Sequence, residues 1–201
     1  MILSSNAAAL PSDLKASLAI NITTLLTVLC WLFILIFIAT RFSNNLKIKF
    51  TSILESNSRI LLWIIPTTAM AFSLYFSEYL NWTPCKLCWI QRAFMYPLAF
   101  FMMLNLLRPN KLMRVFGAIF SGLGAIIAMY HVVIEKFPNL EATSCNINAR
   151  CTDTWFESIG FIKIGEYSQG LLTIAGMSLT AFITVLVILY LTKEKKEIKN
   201  G

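Results

Sequence analysis

The chain has 201 residues, 57% of them hydrophobic and only 13% charged, with a formal net charge of +7. A soluble domain carries about 25% charged residues, so an ordinary soluble protein is excluded. The positive charge does not describe a nucleic-acid binder, because it lies in short segments between long apolar runs.

Five apolar runs follow one another: Leu18–Thr40, Ile60–Leu80, Trp89–Leu107, Val115–Phe137 and Gly170–Leu191. Each is close to the ~20 residues that cross a hydrocarbon core as a helix. The runs are continuous rather than alternating, which excludes a transmembrane β-barrel. The expected fold is an all-α integral membrane protein, one compact bundle without a separate soluble domain.

The first run is long for a signal-peptide core and is flanked by Asp13 and Lys15 rather than by a basic cluster. It is expected to be a retained helix. Residues 41–59 read as a polar, basic linker, with turns at Asn44-Asn45 and Ser56-Asn57-Ser58. The second run contains Pro66, which allows a kink. Tyr79 and Trp82 then anchor the chain at the interface, and Pro84 ends any helix before Cys85.

The third run starts at Cys85-Lys86-Leu87-Cys88, with Gln91 and Arg92 one turn inside it. Arg108-Pro109-Asn110-Lys111 makes a tight turn. The fourth run carries the small residues Gly117, Ser121, Gly122, Gly124 and Ala125, suited to close helix packing, and ends near His131. The loop 135–169 holds Cys145 and Cys151. Within it Trp155, Phe156, Ile159 and Ile162 fall at helical spacing, as in an amphipathic helix lying in the interface.

Charge sets the expected orientation. Arg41, Lys47, Lys49 and Arg59, then Arg108, Lys111 and Arg114, then Lys193, Lys195, Lys196 and Lys199 mark three cytoplasmic segments. Most acids fall in the other segments, including Asp13, Glu78, Glu135 and Asp153. The N-terminus is therefore expected outside and the C-terminus inside.

That topology sorts the five cysteines. Cys30 lies in mid-span, where a thiol is a small packing residue. Cys85, Cys88, Cys145 and Cys151 all fall on the outer face, where disulfides form and persist. A CxxC at a helix N-terminus favours a thiolate and suits redox cycling, although a structural staple is the plainer alternative. Zinc needs four thiolates. Cys-x5-Cys is not a tight knuckle spacing, however, and thiolates on an oxidising face become disulfides, so no metal is expected. A Cys145–Cys151 bridge would close a short loop, stabilising little but exchanging readily.

Arg92 is either an arginine snorkelling to the headgroups or a donor to a ligand carbonyl on which negative charge develops. Gln91 offers a further donor or acceptor. His131, the only histidine, is either a satisfied interfacial residue or the proton carrier of an electron-acceptor site. A quinone needs two protons with its two electrons, and histidine can assist that transfer.

The stretch Trp82-Thr-Pro-Cys-Lys-Leu-Cys-Trp-Ile-Gln-Arg92, the later helix-ending histidine and the second outer cysteine pair resemble the disulfide bond formation protein B (DsbB) family. The resemblance covers roughly Ile60 to Leu191. It implies a four-helix transmembrane bundle in the bacterial inner membrane that binds ubiquinone or menaquinone. It further implies that the protein reoxidises a soluble, thioredoxin-like (DsbA-like) thiol oxidase outside the cytoplasm. On this pattern Cys85 and Cys88 pass electrons to the quinone, with Cys88 nearest the ring, while Arg92 and His131, with Gln91, line its pocket. Cys145 is attacked by the partner, and Cys151 can bridge transiently to Cys85.

Two features depart from the family pattern. The helix Leu18–Thr40 is extra, and the second cysteine pair is closely spaced. The expected organisation is thus 1–59 (tail, extra helix and basic linker), 60–192 (four-helix bundle with two outer cysteine loops) and 193–201 (basic tail). Two rivals are weighed: a vitamin K epoxide reductase-like redox protein and a non-enzymatic metal-handling membrane subunit.

Overall fold

The computed structural model describes residues 12–40, 42, 44–137, 139, 151 and 173–200. Among them there is no strand. Five helices run along the chain: α1 (Ser12–Thr40), α2 (Asn44–Leu74), α3 (Lys86–Leu107), α4 (Lys111–Lys136) and α5 (Ile174–Asn200). All five contain a segment long and apolar enough to cross a membrane. Cys145, the expected amphipathic helix at 152–167 and the start of the fifth run at Gly170 lie outside the described residues.

α2, α3, α4 and α5 pack as a ring in which each helix contacts the next and α5 returns to α2. α1 stands outside the ring and packs on α2 and α5. α3 and α4 are joined by the three residues 108–110, a connection that makes them antiparallel neighbours. In lipid, close van der Waals packing holds helices together more than apolar burial does. Two residues of the small-residue stripe on α4 serve that role. A Cβ at Gly117 would strike the Met102 side chain of α3, and one at Gly124 would enter the Phe182 ring of α5. Gly122 falls on the opposite face of α4 from these two and meets open space. Phe182, Leu62, Leu98 and Met102 are fully buried at the centre.

The linker expected at 41–59 is not one. α2 already begins at Asn44, and neither the Asn44-Asn45 nor the Ser56–Ser58 turn forms. Leu54 is buried in the main core and Ser58 is buried as well. Tertiary burial of this face outweighs turn preferences of only a few tenths of a kcal/mol per residue, roughly up to 0.7. Pro66 is accommodated inside the continuous helix.

The end of α2 positions the site. Its last turn, Tyr75–Tyr79, widens to a π-helix. Asn81 then takes φ 54°, the left-handed conformation that asparagine tolerates better than most residues. The Trp82 N–H reaches back to the Phe76 carbonyl at 3.0 Å, and the Trp82 and Phe76 rings stack 5.3 Å apart. This wide C-terminal cap turns the chain towards Cys85, the N-cap of α3.

Candidate active site

Cys85 has an extended backbone (φ −69°, ψ 170°), and its Sγ accepts the N–H of Cys88 at 3.2 Å. Sulfur thus takes the place that a serine or aspartate oxygen fills at an ordinary N-cap. The two free thiols lie with Cys85 Sγ 2.8 Å from Cys88 Sγ. From these adjacent places they face different surroundings. Cys85 is 4% exposed and packs in a buried cluster with Leu87, Ile134 and Cys151. Cys88 packs against the same cluster but also borders a cavity of about 410 Å³, which Cys85 does not line, running down between α1, α2, α3 and α5.

His131, near the end of α4, belongs to the Cys85 side. One ring nitrogen, Nε2, is 3.6 Å from Cys85 Sγ and 3.1 Å from the carbonyl oxygen of Cys151. The other, Nδ1, is 2.9 Å from Gln91 Nε2. With the Gln91 amide donating to Nδ1, a neutral imidazole carries its proton on Nε2, directed at the sulfur and the carbonyl. Ser178 of α5 donates to Gln91 Oε1 at 2.7 Å. The histidine is therefore fixed through Gln91 from two other helices.

The Cys85 thiol is pushed down from its ordinary 9.0 to about 5. The hydrogen bond from Cys88 is the largest cause; burial opposes it, and the hydrogen bond and charge of His131 reinforce it. A thiolate so held stabilises the reduced pair, which makes the corresponding disulfide a stronger oxidant.

Arg92 is 7% exposed and does not snorkel outwards. Its Nε donates to Ser73 Oγ at 2.9 Å and its Nη2 to the Ser73 carbonyl at 2.7 Å, which tethers α3 to α2. Its guanidinium also lies 5.1 Å from the centre of the Trp89 ring. Arg92, Gln91 and Cys88 border the same cavity. The sequence reading set His131 on that wall too, but the structure seats it behind Cys85, because the α4 face carrying it turns towards the helix start.

In the sequence Glu135 stands only as one acid of an outer loop. The structure places it in the last turn of α4, with its carboxylate 3.9 Å from His131 Nε2 and accepting from Thr173 Oγ1 at 2.7 Å. The i, i+4 spacing from His131 was the available signal. Cys151 is disulfide-bonded and fully buried. Cys85 Sγ, Cys88 Sγ and the His131 ring lie within 4.8 Å of one another, a donor set that also suits a soft or borderline metal ion.

Sulfur chemistry at a membrane boundary is the class of activity that this arrangement serves. Comparison with known proteins gives the same class. A family model described as disulfide bond formation protein DsbB matches residues 55–192. Probable disulfide formation protein C 2 of Bacillus anthracis is 32% identical over 135 residues, 67% of this chain and 89% of that protein. Disulfide bond formation protein C of Bacillus subtilis (strain 168) is 30% identical over 135 residues, 67% of this chain and 91% of that protein. Probable disulfide formation protein of Oceanobacillus iheyensis is 30% identical over 110 residues, 54% and 76% of the two chains. No solved structure matches the chain significantly. The chain belongs to the DsbB family. It is a multi-pass bacterial membrane protein of disulfide formation. Helix α1 precedes the matched segment.

Proposed function

We propose that this protein is a thiol:quinone oxidoreductase that reoxidises a soluble, thioredoxin-like disulfide-generating partner outside the cytoplasm. The observation that carries the reading is that Cys88 alone of the two CxxC thiols lines the cavity, while Cys85 is buried in the cluster that holds Cys151. One thiol is placed to meet an acceptor within the bundle, the other to exchange with a second cysteine pair.

Each exchange moves two electrons. The partner dithiol attacks the Cys145–Cys151 disulfide, releases one thiolate, and leaves as a disulfide, with Cys145 and Cys151 reduced. Cys151 then attacks the Cys85–Cys88 disulfide at Cys85, and Cys88 departs as thiolate. Resolution by Cys145 restores the Cys145–Cys151 disulfide and leaves Cys85 and Cys88 reduced. His131 Nε2–H stabilises the thiolate at Cys85, and Glu135 holds or accepts a proton beside it.

The cavity suits a quinone: its surface is largely apolar, Cys88, Gln91 and Arg92 stand together at one end, and Thr68, Tyr96 and Thr184 are among the hydroxyl residues further along it. The Cys85–Cys88 dithiol would give up two electrons and two protons to a quinone held there, which would serve as the electron acceptor. Arg92 and Gln91 would hold its carbonyls. Basic residues at the opposite ends of the helices, Arg108, Lys111 and Arg114, support placing the cysteines on the outer face.

Purified protein given a reduced thioredoxin-like partner and decyl-ubiquinone or menadione should consume one quinone for each partner disulfide formed, and Cys88→Ser should stop it. Full turnover by the Cys85→Ser/Cys88→Ser double variant would sink the scheme. So would stoichiometric zinc or copper bound by a protein that reduces no quinone, which is the metal-handling rival. Reduction of vitamin K epoxide in preference to quinone would favour the other rival.

A further inference from the structure

The geometry points to α1 as the wall that holds the isoprenoid chain of the quinone, so that the acceptor site extends beyond the segment shared with the family. This inference rests on the quinone reading above and adds the role of a helix that the family match leaves out.

The cavity is long, and Arg92, the one charged residue of its lining, stands at one end. Cys88 and Arg92 lie at the outer end, and its lining extends along α2 from Phe76 to Leu61, about 22 Å at 1.5 Å per residue. That shape suits an amphiphile with a compact polar head and an apolar chain. α1 contributes Thr23, Thr27, Cys30 and Phe33 to the lining. These recur at intervals of three and four, one stripe of one helix. The two threonine hydroxyls bond to carbonyls of their own helix, Thr23 to Ala19 and Ile20, Thr27 to Thr23. The stripe therefore presents no unsatisfied hydroxyl to an apolar chain.

The wall is fixed to the bundle. Trp31 Nε1 donates to Thr180 Oγ1 of α5 at 2.9 Å, and Lys15 Nζ donates to Tyr79 OH at 2.9 Å. α1 packs on α2 and α5 and so covers the junction between them, where the cavity meets the side of the four-helix ring.

Two measurements test this. In the first, Thr27→Phe and Cys30→Phe fill the cavity from α1, with Val28→Phe, on the same helix but off the lining, as control. Both filling variants should raise KM for decyl-ubiquinone about tenfold, the scale of displacing roughly two methylenes from an apolar site. They should leave KM for the short-chain ubiquinone-1 and for the reduced partner within about twofold, and the control should leave all three unchanged. Equal KM changes for both quinones, or none for either, overturn the inference.

The second measurement uses the unaltered protein and is immune to misfolding: photolabelling by a quinone with an azide on its chain. A labelled peptide within residues 23–33, competed by unlabelled long-chain quinone, is the expected result. Label confined to α2, α3 or α5, or α1 label that long-chain quinone does not compete, overturns it. If the unaltered protein reduces quinone yet fails these tests, only the role of α1 falls. If it neither reduces nor binds quinone, the functional reading falls with it.

Discussion

Cys85 and Cys88 occupy the N-cap and third position of one helix, yet Cys85 packs against Cys151 while Cys88 borders the cavity between α1, α2, α3 and α5. A serine at either position should therefore stop the reaction at a different step. In Cys88→Ser protein the free Cys85 thiolate should attack the Cys145–Cys151 disulfide at Cys151 and release Cys145 as thiolate, so that before any partner is added a Cys85–Cys151 disulfide accumulates, identifiable by peptide mass mapping under acid quench. Cys85→Ser protein should form no such link. Turnover should fall by at least about 10³-fold in both, the scale lost when one member of a cooperating catalytic set is removed. A Cys88–Cys151 link in the Cys85→Ser protein would mean that the two thiols are not divided in this way.

Cys85 should ionise with a midpoint near pH 5 in the reduced protein. Thiolate absorbance near 240 nm, corrected with the Cys85→Ser variant, gives this directly. Cys88→Ala removes the main hydrogen bond and should move the midpoint up towards the ordinary value of 9.0; His131→Ala should move it up by less. The folded value is the depressed one. The thiolate's contribution to stability is therefore complete above the unfolded pKa near 9 and is lost as pH falls through about 5. A wild-type midpoint above pH 8 would contradict the hydrogen-bonding pattern.

His131 and Glu135 should act as a pair. His131→Ala should slow disulfide exchange by about 10²-fold, the lower end for a general acid–base group. Glu135→Gln retains an acceptor for Thr173 but removes the charge near His131. It should displace the pH profile of exchange while leaving thermal stability near wild type. An unaltered profile would leave Glu135 a purely structural residue.

The glycines of α4 make a prediction with opposite signs on one helix. Gly124→Ala places a methyl against Phe182 and should destabilise the folded protein in detergent by about 1–3 kcal/mol. Gly122→Ala meets open space and should stabilise it, by up to about 1 kcal/mol from helix propensity. Thermal unfolding of the two variants side by side decides.

The membrane spans and the CxxC at a helix start were legible in the sequence because apolar runs of spanning length and a Pro-Cys boundary are local signals. The start of α2 was not. Asn44, Asn45 and Ser58 favour turns locally, and only the burial of Leu54 and Ser58 in the assembled bundle overrides them. Gln91 and His131 were singled out one by one, but their 2.9 Å contact depends on the rotation of α3 against α4, which no spacing along the chain encodes. Glu135 was counted with the loop because the apolar run ended beside it, although its four-residue spacing from His131 was visible. Nothing in the linear order of residues indicates which gap α1 fills. The π-helical turn has no residue signature of its own.

That turn constrains how this protein can change over evolutionary time. A π-turn holds one residue more than an α-helix would at the same place. Losing one residue between Tyr75 and Tyr79 would restore ordinary winding and leave the following segment at nearly the same angle around the axis, whereas losing one from the regular part of α2 would swing everything after it by about 100° relative to the bundle. In that second case the thiol of Cys85 would be carried off the imidazole that it now touches. Chain length in the regular turns of α2 should thus be inherited more strictly than in these five residues, where one residue can come or go without turning the site.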